Sequence, residues 1–160
     1  MKNIIVTALF LLLSTNAFAC YNESLSGKDN FDSHSVQARM GDAESQFMLG
    51  LIYAKGCGVR QSYHDAIEWY SKAAVQGSTK AQNNIGVIHY RKAQGDIGFL
   101  YFTSEQSNQN IIKAYKWFNI AAANGDEGAL MSTRHLAERM TSSQIEKAQD
   151  MARDWMAKHQ

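Results

Sequence analysis

The chain repeats itself, and that constrains its fold more than any other feature. Residues 64–77, HDAIEWYSKAAVQG, return as IKAYKWFNIAAANG at 112–125. Ala66 matches Ala114, Trp69 matches Trp117, Tyr70 matches Phe118, Ala73-Ala74 match Ala121-Ala122 and Gly77 matches Gly125, all at an offset of 48 residues. Upstream, Gly41, Gln46 and Leu49-Gly50 return as Gly77, Gln82 and Ile85-Gly86 at an offset of 36. Each copy reads as two helices joined by a short turn, a unit too small to bury its apolar face except against its neighbours. The two offsets differ by twelve residues, so the second copy carries an insertion of that length.

Punctuation repeats along with the apolar residues. Gly41, Gly77 and Gly125 each fall just past a predicted helix, where a left-handed residue ends it. A good N-cap follows each time: Asp42, Ser78 and Asp126. Ser62 and Asn110, again 48 apart, are the expected caps of the second helix in each copy. Chance apolar periodicity would not reproduce caps and core together. The sequence contains no proline, which suits a chain made mostly of helices. Thr141-Ser142-Ser143-Gln144 is a capping box opening a last helix whose face Ile145, Ala148, Ala152 and Trp155 should pack inward.

LGLIYAKGCGV at 49–59, followed by AIEWYSKAAVQG at 66–77, resembles the SEL-like repeat, a relative of the tetratricopeptide repeat. The turn Gly56-Cys57-Gly58-Val59 with Tyr53 and Ala66-xx-Trp69-Tyr70 carries the likeness, which covers about residues 41–125 and extends to 158 as a terminal cap. There are departures: His89 stands where the pattern has Tyr, the second copy lacks the glycine turn, and Thr133-Arg134 replace Leu-Gly in the third. The expected fold class is all-α, a short α/α solenoid of antiparallel helix pairs with capping helices at both ends. The expected layout is a signal peptide over 1–19, an N-terminal segment and capping helix over 20–40, and a first repeat over 41–76. A second repeat over 77–124 holds the insertion at about 94–109, and 125–160 forms a C-terminal partial repeat and capping helix.

Lys2, an apolar run from Ile4 to Leu13, and Ala17-Phe18-Ala19 together form a secretory signal pattern, predicting a bacterial periplasmic or secreted product. The run is short for a bilayer span, and the mature chain is expected to have no transmembrane helix. Cys20 follows the expected cleavage site, so a lipoprotein is the alternative, although Ala17 stands where a lipobox usually has Leu. Cys57 is the other cysteine. Export makes a Cys20–Cys57 disulfide one reading, closing a loop of about 38 residues for roughly 4 kcal/mol in the chain-entropy model. In the other, Cys57 fills a tolerant turn and Cys20 sits on a loose terminus.

Chemistry-bearing motifs are missing. The five histidines show no metal-ligand spacing, and neither C-x-x-C, H-E-x-x-H, a G-x-S-x-G elbow nor a phosphate loop occurs. Asp65 and Glu68 share a helical face where the repeat places solvated charges. No cofactor and no metal are expected. Sixteen basic and fifteen acidic residues, with no block of one sign, lack the field that gathers nucleic acid.

The resemblance implies a non-enzymatic module whose first helices line a concave face for a protein or peptide. By the tetratricopeptide arrangement, Phe47 and Leu51 of the first unit face that groove, with Asn83, Val87, Tyr90 and Arg91 of the second and Met131 and His135 of the third. An apolar centre with polar and cationic edges suits such a partner. The competing reading is that so short an array closes on itself and buries these residues. Phe99, Tyr101 and Phe102 in the insertion are a second contact loop or a cover for their own domain's edge. The roles in view are an envelope or virulence adaptor and, alternatively, an immunity-type inhibitor of a secreted toxin enzyme. Beta-lactam binding or hydrolysis, as linked to cysteine-rich relatives, is a minor alternative, because paired cysteines, S-x-x-K and K-T-G are all absent.

Overall fold

The computed structural model describes residues 28–95 and 105–159; Cys20, Phe99, Tyr101 and Phe102 lie outside them. These residues form seven helices and no strand: α1 (Lys28–Arg39), α2 (Ala43–Lys55), α3 (Tyr63–Val75), α4 (Thr79–Gly95), α5 (Glu105–Ala123), α6 (Glu127–Ala137) and α7 (Ser142–His159). Two compact units divide within α3, one ending at Trp69 and the other beginning at Tyr70.

The repeated glycines act as the sequence predicts. Gly41, Gly77 and Gly125 take φ of 99°, 88° and 93°. At each, the glycine N–H donates to the carbonyl three residues back, and the next N–H to the carbonyl five back: Gly41 to Ala38 and Asp42 to Gln37, Gly77 to Ala74 and Ser78 to Ala73, Gly125 to Ala122 and Asp126 to Ala121. This pair of hydrogen bonds is a Schellman stop, built three times. The cap following it accepts the otherwise unpaired amide three residues into the next helix, at Asp42 Oδ1 from Ser45 (2.7 Å), Ser78 Oγ from Ala81 (3.3 Å) and Asp126 Oδ1 from Ala129 (2.8 Å). Ser62 caps α3 through Asp65 N–H at 3.2 Å.

Asn110 is not a cap. It lies inside α5, buried, with its Oδ1 facing His89 Nδ1 at 3.4 Å. The insertion lengthens helices on both of its sides: α4 runs to Gly95 and α5 begins at Glu105, where the α3 pattern predicts a start near residue 111. Buried Ser107 ties the two extensions together by donating to the Ala93 carbonyl at 2.9 Å.

In the first unit, Ile52 and Cys57 form a buried pair with Phe31, Met48, Leu51 and Val59 packed against it. The Phe31 ring meets Tyr53 edge-on at 5.9 Å, so the N-terminal helix covers the end of its unit. Cys57 is 1% exposed and disulfide-bonded.

In the second unit, Ile111, Ala114, Tyr115, Phe118 and Ala121 of α5 meet Ala129 and Leu136 of α6 and Ala148 of α7. Burying each large apolar side chain contributes about 1.5–3 kcal/mol. The capping box opens α7 as expected, Thr141 N–H donating to Gln144 Oε1 (2.9 Å) and Gln144 N–H to Thr141 Oγ1 (3.3 Å). Of the inward face, Ala148 and Ala152 are buried, Ile145 packs on the core, and Trp155 sets its ring 5.2 Å from Trp117.

Candidate functional site

A hollow of about 400 Å³ lies in the second unit, lined by Val87 and Tyr90 of α4, Phe118 of α5, and Met131, Ser132, His135 and Leu136 of α6. Its depth depends on Gly86. A Cβ at that position would stand 2.7 Å from Cδ1 and Cε1 of Phe118, so only glycine lets the ring lie against α4. Phe118 and Leu136 form the buried floor, whereas Met131 is 71% exposed and His135 also faces solvent, which places the mouth at the surface. The lining is mostly apolar, with a phenol, an imidazole and one hydroxyl at its edges.

Of the residues expected to meet a partner, Val87, Tyr90, Met131 and His135 come together here. Asn83 and Arg91 lie on α4 but outside the lining, half-buried and exposed respectively. Phe47 is half-buried in the first unit, and Leu51 packs against that unit's Ile52–Cys57 pair. Sequence reasoning missed Phe118, Ser132 and Leu136. Phe118 was visible as the repeat partner of Tyr70, a core position; its exposure to a cavity follows from the shape of the unit's end rather than from periodicity.

Ser132 and His135 are one turn apart in the pocket, a spacing at which a hydroxyl and an imidazole can pair as nucleophile and base. Ser132 Oγ instead donates to the Gly128 carbonyl at 2.9 Å, back along its own helix. Its proton is therefore not directed at an imidazole, as activation requires. Elsewhere, His64, Asp65 and Glu68 bring ligand atoms within 4.8 Å of one another. The sequence reading paired Asp65 with Glu68 and saw no metal-ligand spacing among the histidines; the structure adds His64 to that pair, its Nδ1 3.3 Å from Asp65 Oδ1. These groups face water on the first turns of α3, where the helix end carries positive potential that opposes a cation. Hydrogen bonds from Ser62, then His64, hold the Asp65 carboxyl below the ordinary carboxylate range, away from neutral-pH acid–base work.

His89 is the most perturbed group described. Burial first, then the charges of Lys113, Lys92 and Lys116, outweigh the Asn110 contact and lower its pKa to about 4. It is a neutral, structural imidazole at pH 7, where the repeat pattern has a tyrosine.

Helix–turn–helix copies punctuated by the same glycine stops and caps define an all-α repeat solenoid. Residues 43–78 and 79–126 match the Sel1 repeat family, just over half of the chain, and the protein belongs to that family. DAP3-binding cell death enhancer 1 from Rattus norvegicus is 30% identical over 107 residues, covering 63% of this chain and 21% of the rat protein. A putative sel1-like repeat-containing protein L21 from Acanthamoeba polyphaga mimivirus is 34% identical over 95 residues, covering 57% of this chain and 18% of the viral protein. The chain thus spans about a fifth of the length of these relatives. A solved structure of c5321, a protective antigen present in uropathogenic Escherichia coli strains displaying an SLR fold, has a TM-score of 0.37 and 18% identity, covering 81% of this chain and 41% of that one. Sel1 repeats suggest a protein–protein interaction module. Among the described residues no helix is long and apolar enough to cross a membrane.

Proposed function

We propose that the protein is an exported, non-enzymatic interaction module that holds a protein or peptide partner by an apolar side chain seated between α4, α5 and α6. The observation that carries this reading is the pocket itself. Its volume of about 400 Å³ lies within the roughly 300–1,000 Å³ usual for ligand sites, and its apolar floor with a few polar edge groups is the pattern of a partner anchor. The rat relative, named for binding a protein, is in keeping with it. Export is supported by the N-terminal signal pattern and by a disulfide at Cys57, a bond that persists in oxidising compartments. Were Cys20 the bond's partner, its sulfur would be unavailable to a lipid, so we place the product free in the periplasm or medium rather than on a lipid anchor.

The test is capture from envelope extract with Tyr90→Asp and Met131→Asp, both read against helical content by circular dichroism. Loss of one reproducible partner with unchanged helicity supports the reading. Unaltered capture by both variants would exclude the pocket. Mass spectrometry of the captured protein separates an adaptor role, where it is an envelope component, from inhibition, where it is a toxin enzyme.

A further inference from the structure

A second surface lies on the other side of α5. Lys113 and Lys116 are one turn apart on that helix, and Phe118, which floors the pocket, is five residues beyond Lys113 and so roughly 140° around it. The charges of Lys113, Lys92 and Lys116 all reach the His89 ring, and those of Lys113 and Lys158 reach Lys116. Contacts between the helices agree: His89 meets Asn110, so Lys92 and Lys113, each one turn further along, extend from that contact, and the Trp117–Trp155 contact brings the end of α7, with Lys158, beside Lys116. Among the described residues no carboxylate forms an ion pair with any of these four lysines. α4 has no acidic residue and α5 has only Glu105 in its first turn. α7 carries Glu146, Asp150 and Asp154; Asp150 is engaged by Arg153, and Asp154, one turn before Lys158, forms no ion pair with it.

The repeat shows that the fold does not require this charge. Lys113 and Lys116 occupy the positions that Asp65 and Glu68 hold 48 residues earlier. The same helical stripe accepts either sign, so packing leaves the choice open. The positive version is also held in an unfavourable state: burial, then Lys113 and Lys158, pull the Lys116 ammonium below the usual lysine range. Its Nζ sits 4.8 Å above the Trp117 ring, which the Trp155 ring supports at 5.2 Å. A cation fixed on an aromatic platform loses little freedom when an anion binds.

We propose that Lys92, Lys113, Lys116 and Lys158 form a second docking surface, for an acidic peptide segment of a protein partner. Carboxylates on a peptide match four closely grouped ammonium groups. A polyanion such as nucleic acid or an anionic membrane draws instead on a long-range field, which a formal net charge of +1 does not supply.

The probe is a fluorescein-labelled octaglutamate peptide, with labelled octaglutamine as control, followed by anisotropy on the full chain at low salt. Octaglutamate should bind, and octaglutamine should not. Lys92→Gln combined with Lys113→Gln leaves the Lys116–Trp117 stack intact and should weaken octaglutamate binding about tenfold. Tyr90→Asp should leave it unchanged, which separates this surface from the pocket. Equal binding of both peptides, or wild-type affinity in the double lysine variant, overturns the proposal. So does displacement of the peptide by duplex DNA or phosphatidylglycerol vesicles at lower charge concentration.

Discussion

Gln82 is fully buried, and both ends of its amide are used: Nε2 donates to the Ala74 carbonyl at 3.2 Å and Oε1 accepts from Asn124 at 2.9 Å. Gln46 makes the same bond one repeat earlier, to Ala38 at 3.1 Å, so this glutamine stitches a helix to the carbonyl end of the preceding one. Gln82→Leu keeps the volume but strands both partners, and should cost about 2–3 kcal/mol in urea unfolding. A loss below about 0.5 kcal/mol would mean water replaces the amide. Gly86→Ala should cost about 1–3 kcal/mol by driving a methyl into the Phe118 ring. Phe118→Leu in the same chain should recover part of that cost, and strict additivity would show that the two residues are not coupled. At His89, an unfolded chain protonates near pH 6.5, whereas the folded one resists until about 4. Stability present above pH 6.5 is therefore lost as pH falls through that window, by on the order of 2–3 kcal/mol. His89→Gln keeps a donor for Asn110 and should flatten this part of the profile; identical slopes in the two proteins would contradict the assignment.

At the scale of elements, the sequence predicted helix ends better than helix lengths. Glycine stops and serine, threonine and aspartate caps are local chemistry, readable wherever they stand, and those at Gly41, Gly77, Gly125, Ser62, Asp126 and Thr141 act as expected. Asn110 misled because it has the same chemical type at the same repeat position. The inserted residues on either side of it are helix-compatible, and a half-buried partner, His89, faces the buried asparagine side chain. Only the three-dimensional pairing of α4 with α5 reveals that. The last helix relies on Trp155 against Trp117, with His159 stacked on the outer face of Trp155 at 4.6 Å. Trp155→Ala should lower stability by about 2–3 kcal/mol. Hydrogen exchange should show the loss of protection concentrated in α7, and uniform loss through α4 to α7 would contradict a locally anchored cap.

For the whole molecule, repetition made the architecture legible. Near-copies at two offsets require helix pairs that share their apolar faces, and the repeat family follows from the same residues. The pocket was legible only in part. Val87, Tyr90, Met131 and His135 follow from the expected direction of each first helix, but Phe118 and Leu136 carry ordinary core signals. Whether a core side chain is capped or left facing a hollow depends on what the next unit supplies, and here Thr133-Arg134 stand in place of the Leu-Gly pair. The most direct measurement is methyl NMR of the chain titrated with its captured partner. Shifts confined to Val87, Met131 and Leu136, with Met151 and Met156 of α7 unmoved, are the predicted result. Shifts at the α7 methionines with the pocket methyls silent would contradict the account.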